Sequence, residues 1–549
     1  MGDEQLVDRA TAWRDIDPDP ETRAELDALL AGDHDELAAR FEGRLTFGTA
    51  GLRGPLGAGP TRMNRVLVRT TAAAIAEVLH ARGEVSGPVA VGFDARYNSD
   101  VFAEDTARVL AAAGIDVALL PTPLPTPVLA YAVRSLDACA GVMVTASHNP
   151  PADNGYKVYW GDGAQIVPPV DVEISDAIDR IGLVGDDRLA PADDPHITVL
   201  PSSFADRYVA SIPRLAPDAP GDLRVVYSAM HGVGGATMLD AFAAAGFPTP
   251  VVVDEQFAPD PDFPTVSFPN PEEPGAMDLL LGLAEREQAD LAIANDPDAD
   301  RLAAAVPSRT GGWRVLSGNE LGWLLAEHAL VHSDGDDRFV STSVVSSDLL
   351  GRLAEAHGVR SARTLTGFKW IVRPAIEDPS LRFVFGYEEA LGYLVGDAVL
   401  DKDGISAAVA LTERVAELRD EGRSIEDALD DLELRFGVHA TDGWSVRFEG
   451  PDGSRRMAEL MDGYRSGPPV ELAGHPVDAV RDLAAEDPPT DAVMFTADTV
   501  RLTIRPSGTE PKMKLYCEVV EPVADGDLAG ARARAAGVLT ALREQMAAS

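Results

Sequence analysis

A hydroxyl and an imidazole stand next to each other where an apolar run of the sequence ends. Residues 141–144 predict a buried strand, and the sequence TASHNP, residues 145–150, follows it directly. Ser147 and His148 would then lie at the carboxyl edge of a sheet, where open α/β folds bind their ligands. An ordinary turn at the end of a strand needs neither side chain, so this segment alone leaves a functional and a structural interpretation open.

Three aspartates alternate with other residues directly after another apolar run. Residues 291–294 predict a buried strand, and Asp296, Asp298 and Asp300 follow it in the sequence DPDADR. Side chains at every second position fall on one side of an extended chain, and the proline within the motif disfavours a helix. The carboxylates can therefore converge on a hard divalent cation such as Mg²⁺. Chance is the alternative in an Asp-rich chain, since residues 15–19 have similar spacing without a preceding strand.

A third polar segment combines an arginine, two hydroxyls and a glycine. The alternating pattern of residues 502–504 predicts a strand that leads into Arg505, Ser507, Gly508 and Thr509. Arginine offers a planar fork of donors to phosphate oxygens, and glycine lets backbone N–H groups approach an anion. The segment therefore predicts a phosphate-binding loop, although Pro-Ser-Gly is also ordinary turn sequence.

Three further stretches could contact a polar ligand. Glu388 follows a strand predicted at residues 382–385, where it could accept hydrogen bonds from sugar hydroxyls; a solvated helix start is the alternative. Lys369 stands among aromatic residues, and either contacts a ligand or belongs to a helix whose aromatic neighbours enter the core. Residues 45–60 contain five glycines and Arg53, which favours an ordered loop near a ligand over a flexible linker.

Strands that alternate with helices must position these segments. The hydrophobic pattern predicts a strand–helix rhythm through most of the chain, which is typical of mostly parallel sheets covered by helices on both faces. A polar, proline-rich connector introduces a second unit and a third follows, before the pattern changes to that of a smaller α+β domain. The predicted domains are residues 1–212, 213–316, 317–436 and 437–549.

Composition limits the class of protein. The chain has 549 residues, 45% of them hydrophobic and 25% charged, as expected of a soluble globular protein with several domains. Its net charge of −42 argues against a nucleic-acid partner, and no apolar run reaches the ~18 residues of a membrane span. Cys139 and Cys517 are too few for a disulfide framework, and the acidic N-terminus is unlike a secretory signal. We expect a cytoplasmic protein.

Four of these segments together resemble the α-D-phosphohexomutase superfamily. They are TASHNP, DPDADR, GYEEALGY and RPSGTEPK, in that order across nearly the whole chain. TFGTAGLRG, near the N-terminus, resembles the branch that contains phosphoglucomutases and phosphopentomutases. The resemblance implies four domains around a central cleft: three similar α/β domains with mixed or parallel sheets, and a smaller C-terminal α+β domain. In chain order they would carry a phosphoserine loop, a magnesium loop, a sugar-binding loop and a phosphate-binding loop.

The resemblance also implies a role for each candidate residue. Ser147 would carry the phosphoryl group and, with Asp296, Asp298 and Asp300, would bind Mg²⁺. Catalysis is implied for His148, Lys157 and Arg53, the first two as proton-transfer groups. Sugar contact is implied for Glu388, Lys369 and Arg301. Binding of a second phosphate is implied for Arg505, Ser507, Gly508 and Thr509.

The implied reaction is reversible transfer of a phosphoryl group between the 1- and 6-positions of a hexose phosphate, with glucose phosphate as the first choice. It would pass through the phosphoserine and a bisphosphorylated sugar, with glucose 1,6-bisphosphate as activator. Mannose and pentose phosphates stay open, because Ala390 stands where many members have the serine of a Glu-x-Ser pattern. A metal-dependent sugar phosphatase is a further alternative. The expected partner is a small sugar phosphate, and the expected state is a monomer or homodimer.

Overall fold

The computed structural model describes residues 3–48, 51–219, 222–448, 452–507 and 512–547. Within these residues the chain forms four main β-sheets, each accompanied by helices, and one two-stranded ribbon. Three helices precede the first sheet, and aspartate caps fix the starts of two of them: Asp19 accepts from the N–H of Glu21, and Asp33 from that of Glu36. These helices are α1 (Asp3–Ile16), α2 (Pro20–Gly32) and α3 (His34–Phe41).

The first domain contains a six-stranded mixed sheet in the order β1-β5-β4-β2-β3-β6. Neighbouring β2 and β4 are parallel, so the loops that follow them meet at one edge of the sheet. The strands are β1 (Leu52–Pro55), β2 (Val89–Phe93), β3 (Val117–Leu119), β4 (Ala140–Val144), β5 (Asp153–Trp160) and β6 (Ile197–Val199). The helices are α4 (Arg65–Arg82), α5 (Ser99–Ala112), α6 (Thr126–Ser135), α7 (Val170–Ile181) and α8 (Phe204–Ser211), with one 3₁₀ turn at Asp186–Arg188.

The second domain contains a five-stranded sheet in the order β11-β10-β9-β7-β8. Its parallel centre is extended by an antiparallel hairpin, so this sheet is also mixed. The strands are β7 (Val225–Ser228), β8 (Val251–Val252), β9 (Leu291–Ala294), β10 (Ala303–Pro307) and β11 (Trp313–Val315). The helices are α9 (Gly235–Ala244), α10 (Asp254–Phe257) and α11 (Asp278–Glu287).

The third domain has a four-stranded mixed sheet, in which β15 is antiparallel to the end of β14. The strand order is β13-β12-β14-β15. The strands are β12 (Arg338–Ser343), β13 (Arg360–Thr364), β14 (Arg382–Glu388) and β15 (Gly392–Val395). The helices are α12 (Gly318–Val331), α13 (Leu349–Ala356), α14 (Phe368–Ile371), α15 (Arg373–Glu377), α16 (Gly404–Asp420) and α17 (Ile425–Phe436).

The fourth domain is built on an antiparallel sheet in the order β16-β22-β21-β20-β19. This confirms the predicted change from α/β domains to an α+β domain. Its strands are β16 (Val438–Arg447), β17 (Glu471–Leu472), β18 (His475–Pro476), β19 (Ala479–Asp482), β20 (Val493–Ala497), β21 (Val500–Pro506) and β22 (Lys512–Glu521). Its helices are α18 (Gly453–Ser466) and α19 (Leu528–Ala547), with one 3₁₀ turn at Leu483–Ala485.

The hydrophobic core is shared unequally among the domains. One face of the first sheet and both of the next two domains contribute to a single continuous cluster of buried apolar side chains. The opposite face of the first sheet packs a second cluster against α4, α5 and α7. The fourth domain has a cluster of its own. The first three domains therefore share one continuous hydrophobic core.

Candidate active site

Ser147 is held in a tight turn just beyond the end of β4. Its backbone adopts the left-handed conformation, with φ of 52°, which is uncommon for a residue with a side chain and frequent at functional sites. The Thr145 hydroxyl accepts a hydrogen bond from the Ser147 N–H at 2.9 Å. The Ser147 side chain is 3% exposed; Oγ donates to Asp296 Oδ2 at 2.8 Å and lies 3.2 Å from His148 Nδ1. The turn thus directs the hydroxyl at the second domain.

Arg96 fixes the path of this loop, and the sequence analysis missed it. Its guanidinium is 4% exposed and donates to four backbone carbonyls, those of Ser147 (2.6 Å), Asn149 (2.7 Å), Pro150 (2.9 Å) and Asp153 (3.2 Å). Arg96 follows β2, and it reaches the serine loop because parallel β2 and β4 end at the same edge of the sheet. Neither segment of the sequence shows that these two strands are neighbours, so the sequence offered only a charged residue after a predicted strand.

Arg53 lies at the rim of the same loop. It belongs to β1, which pairs with β5, and its Nη1 donates to Asn149 Oδ1 at 3.2 Å. The glycine-rich segment around it is therefore ordered where the structure describes it, as the sequence predicted. Gly51 shows why glycine is needed there, since a Cβ at this position would lie 1.8 Å from the Tyr156 carbonyl oxygen.

The three aspartates of the second domain converge as predicted. They follow β9, their side chains are buried, and one carboxylate oxygen from each lies within 4.8 Å of the others. Oδ1 of Asp298 and Oδ1 of Asp300 are buried without a hydrogen-bond partner. Buried carboxylate oxygens without donors are costly unless a cation compensates them. The donor set, three carboxylates beside a hydroxyl, therefore fits a hard divalent ion.

Two lysines and a threonine complete the surroundings of the aspartates. Lys157 of β5 places Nζ 2.7 Å from Asp298 Oδ2 and 2.8 Å from Asp300 Oδ2. Lys402, which the sequence analysis missed, places Nζ 3.1 Å from Asp300 Oδ2. The Thr126 hydroxyl donates to Asp298 Oδ2 at 2.6 Å. Lys402 comes from the third domain, in a DKDG sequence whose charge density before a helix was its only signal.

Burial and mutual charge shift the pKa values of these groups in different directions. Burial, reinforced by the charges of Asp298 and Asp300, raises the pKa of Asp296 well above its usual range. Burial would also raise the pKa of Asp300, but Lys157 and Lys402 reverse the effect and hold it below the usual range. Burial lowers the pKa of Lys157, but the two carboxylates more than compensate, so its pKa is raised and the side chain is a cation.

His148 is a neutral imidazole beside the serine. Burial, together with the nearby charges of Arg301 and Arg53, holds the pKa of His148 well below 6.5. At neutral pH the ring is therefore uncharged, and Nδ1, which faces Ser147 Oγ, can accept a hydrogen bond when the ring proton is on Nε2. Arg301 also reaches the aspartates, since its backbone N–H donates to Asp296 Oδ1 at 3.0 Å.

The third domain brings acidic and basic groups to the same region. Glu388 ends β14, so the alternative of a helix start is wrong, and its Oε1 accepts the N–H of Gly367 at 2.6 Å. Lys369 lies in α14, two residues after Gly367, and burial lowers its pKa to about 8. Glu389 accepts a hydrogen bond from the Ser346 hydroxyl at 2.8 Å, and burial, with the charge of Glu388, raises its pKa to about 7.

The fourth domain contributes Arg505, at the end of β21. Its Nη1 donates to the hydroxyl of Thr366 at 2.6 Å, which joins the predicted phosphate loop to the segment that leads into α14 and Lys369. The Ser507 N–H donates to the Lys512 carbonyl at 2.8 Å. The remaining members of the predicted loop lie outside the described residues: Gly508 and Thr509.

Comparison with known proteins agrees with this arrangement. Four domain models described as phosphoglucomutase/phosphomannomutase domains match the chain: α/β/α domain I at residues 44–184, α/β/α domain II at 204–311, α/β/α domain III at 317–436 and the C-terminal domain at 469–535. The chain belongs to the phosphoglucomutase/phosphomannomutase family. Proteins of this family are isomerases, intramolecular phosphotransferases, and this chain is an enzyme of that class.

Curated relatives in the phosphoglucomutase/phosphomannomutase family carry three different substrate names. A probable phosphomannomutase of Haemophilus influenzae is 44% identical over 83% of this chain and 93% of its own length. A phosphopentomutase of Pongo abelii is 35% identical over 96% of this chain and 94% of its own. A phosphoglucomutase of Staphylococcus epidermidis is 36% identical over 86% and 90%.

The fold of this phosphoglucomutase/phosphomannomutase member also matches a solved structure. A phosphoglucomutase/phosphomannomutase family protein from Burkholderia thailandensis superimposes with a TM-score of 0.67 at 21% identity, covering 91% of this chain and 97% of the other. The family is metal-dependent, and the three aspartates could hold the metal. Among the described residues, no helix is both long and apolar enough to cross a bilayer.

Proposed function

We propose that this enzyme interconverts the 1- and 6-phosphates of a hexose, with glucose 1-phosphate and glucose 6-phosphate as its preferred pair. The observation that carries the proposal is the hydrogen bond from Ser147 Oγ to Asp296, because it joins a buried hydroxyl to three converging carboxylates. Simple binding of a sugar phosphate would need neither a strained serine nor a cation site. Transfer of a phosphoryl group through the serine needs both.

The proposed reaction has two halves that use the same oxygen. In the first, phosphoserine 147 gives its phosphoryl group to the free hydroxyl of the sugar phosphate. The O–P bond to serine breaks, one to the sugar forms, and the hydroxyl proton ends on the freed Ser147 Oγ. The product is a sugar bisphosphate, such as glucose 1,6-bisphosphate. In the second half, Ser147 Oγ takes the phosphoryl group at the other position: the sugar O–P bond breaks, the serine O–P bond forms, and the serine proton ends on the freed sugar oxygen. Asp296 Oδ2, 2.8 Å from Oγ, and His148 Nδ1, 3.2 Å from it, are the two groups that would relay this proton.

Asp296, Asp298 and Asp300 would hold Mg²⁺ beside Ser147. When bound, the ion supplies positive charge that stabilises the phosphoryl oxygens in the transition state. Lys157 and Lys402 keep two of the three carboxylates in position by direct ion pairs. They therefore act on the orientation of the acidic groups, and Lys157 itself is placed to add charge near the phosphoryl group.

A mutase must also hold its sugar by the phosphate that does not react, in two orientations. Arg505, with Ser507, Gly508 and Thr509, would bind that phosphate as a fork of donors. Glu388, Lys369 and Arg301 would contact the sugar between the two phosphate positions, and Arg53 would close the rim beside Ser147. The contact between Arg505 and Thr366 supports a shared pocket for the phosphate and sugar loops.

The direct test is Ser147→Ala. We expect loss of isomerisation by at least about 10³-fold, since the proposed phosphoryl intermediate is formed on this hydroxyl. Intact mass of the wild-type protein should show a fraction heavier by one phosphate, and that fraction should vanish in the variant. Ser211→Ala is the matched control, because that hydroxyl donates to the Tyr208 carbonyl within its own helix. Near-normal activity in Ser147→Ala would refute the proposal.

Substrate choice needs a separate comparison. The relatives named phosphomannomutase and phosphopentomutase make mannose and pentose phosphates the second candidates. Rates with glucose 1-phosphate, mannose 1-phosphate and ribose 1-phosphate, measured side by side with glucose 1,6-bisphosphate present, would rank them. Net release of inorganic phosphate without an isomeric product would instead support the phosphatase alternative. Action in the cytoplasm, without nucleic-acid or membrane partners, stays a prediction from composition, and the monomer or homodimer stays an expectation.

A further inference from the structure

Two histidines and a glutamate form a cluster in the third domain, far along α16 from the proposed active site. His328 lies in the last turn of α12, His332 follows it by four residues, and Glu417 lies in α16. α16 begins at Gly404, two residues after Lys402, so Glu417 is about 20 Å further along the helix axis. Among the described residues, this cluster and the three aspartates are the two groups whose side chains could jointly hold a metal ion.

The ligand atoms of this cluster face one another. His332 Nε2 lies 2.8 Å from Glu417 Oε1, and His328 Nδ1 lies 3.3 Å from Glu417 Oε2. The two imidazole rings are 4.7 Å apart, and one ligand atom from each of the three residues lies within 4.8 Å of the others. Two histidines at positions i and i+4 share one helix face, which is the spacing by which helices present paired imidazoles to zinc.

His328 is the buried member, and its ring nitrogens are not satisfied by hydrogen bonds. Its side chain is 0% exposed, and neither Nδ1 nor Nε2 makes a hydrogen bond of good geometry. A protonated His328 between two glutamates would account for this residue as a buried ion pair. It would leave His332, whose Nε2 lies 2.8 Å from the other oxygen of Glu417, as a separate pair. A cation between the three residues accounts for both imidazoles and the carboxylate together.

Glu413 supplies the outer contact that a metal-binding histidine usually has. Its Oε2 lies 3.5 Å from His328 Nε2, on the side of the ring opposite Glu417. Glu413 is itself fixed by Arg214 and by the backbone N–H groups of Leu215 and Ala216, at 3.0 and 3.1 Å. A carboxylate that accepts the distal N–H of a ligating histidine sets its tautomer and ring orientation. At 3.5 Å the Glu413 contact has ion-pair distance and is not a formed hydrogen bond; its shortening would leave Nδ1 as the metal-binding atom.

We propose that His328, His332 and Glu417 form a binding site for a borderline divalent transition-metal ion, with Zn²⁺ as the best fit, separate from the aspartate site. Imidazole ligands favour Zn²⁺ over Mg²⁺, whereas the all-carboxylate site favours Mg²⁺. His332 and Glu417 are 27% and 22% exposed, so solvent reaches the cluster, and Arg414 Nη1 lies 3.6 Å from Glu417 Oε2. The ion clamps the end of α12 to α16.

The test uses the full-length chain without an affinity tag, freed of metal by a chelator and then kept in millimolar Mg²⁺. We expect Zn²⁺ titration, followed by calorimetry or a competing indicator, to give one site per chain. Co²⁺ in its place should give the visible d–d absorption of a four- or five-coordinate ion with nitrogen ligands. His332→Ala and Glu417→Gln should each weaken Zn²⁺ binding by at least about tenfold.

His196→Ala is the matched control. His196 also faces a carboxylate, Asp116 Oδ1 at 2.7 Å, but on the surface of the first domain, so its removal should leave the stoichiometry at one. Both cluster variants change partly exposed side chains, so we expect the fold to be kept, and circular dichroism checks this. Absence of a Zn²⁺ site in Mg²⁺-saturated wild type would overturn the proposal. Unchanged Zn²⁺ affinity in His332→Ala and Glu417→Gln, or loss of the site in His196→Ala, would overturn it as well.

Discussion

Arg96 offers a prediction about how the serine is held in place. Its guanidinium donates to four carbonyls of the loop from Ser147 to Asp153, lies 3.3 Å from Asp94 Oδ2 and stacks 4.9 Å from the ring centre of Phe263. Hydrogen bonds to a charged group contribute about 1.5–3 kcal/mol each, and breaking a buried ion pair costs about 3–5 kcal/mol. These contributions overlap, because water and loop relaxation replace part of what is lost.

We therefore expect Arg96→Ala to destabilise the protein by about 3–5 kcal/mol and to lower kcat strongly. A displacement of the reacting oxygen by about 1 Å can cost about 10²-fold in rate. Arg96→Lys is the more informative variant. Lysine keeps the charge beside Asp94 but lacks the planar fork that reaches four carbonyls, so stability should recover in part while kcat stays low.

Urea unfolding followed by circular dichroism and the rate of conversion of glucose 1-phosphate at saturating Mg²⁺ measure the two effects. Arg44→Ala is the control, because Arg44 also makes several hydrogen bonds in the first domain, to Asp179 and Ser175, outside the serine loop. It should lose stability without a comparable loss of kcat. Wild-type kcat in Arg96→Lys, or a stability change below about 1 kcal/mol in Arg96→Ala, would refute the reasoning.

Three further outcomes follow from the site. Asp298→Asn should weaken Mg²⁺ activation at least about tenfold; an unchanged Mg²⁺ titration would remove the three aspartates from the site. Arg505→Ala should raise KM for the sugar phosphate more than it lowers kcat, and an unchanged KM would contradict a phosphate contact. Because burial raises the pKa of Glu389 from 4.5 to about 7, its contribution to stability is full below pH 4.5 and declines as the pH rises to about 7. Glu389→Gln should flatten that part of the pH–stability curve; an unchanged curve would contradict the shift.

Local sequence was sufficient where a short apolar run ended in a polar motif. The strand predicted at residues 291–294 is β9, and the aspartates after it converge because alternate side chains share one side of an extended chain. The strand predicted before Ser147 is β4 with one residue added. The predicted α+β character of the fourth domain is also confirmed by its antiparallel sheet.

The missed residues depend on which strands are neighbours. Arg96 reaches Ser147 because β2 and β4 are adjacent, and Lys402 reaches Asp300 because the third domain packs on the second. Neither fact is encoded in the segment that carries the residue. Lys157 was identified only by resemblance, and its ion pairs with Asp298 and Asp300 depend on the packing of one domain against another. Single charged residues in loops remain ambiguous until the topology is known.

The ion pairs across the first two domains mean that the chain is less modular than its division into four domains suggests. A fragment ending after the first domain would leave Lys157 hydrated and without its acidic partners. The matching second-domain fragment would hold three mutually repelling carboxylates with neither lysine nearby. Since the first three domains also share one apolar core, truncation would destroy the cation site instead of isolating it. The cation site belongs to the junction between domains and to no single domain.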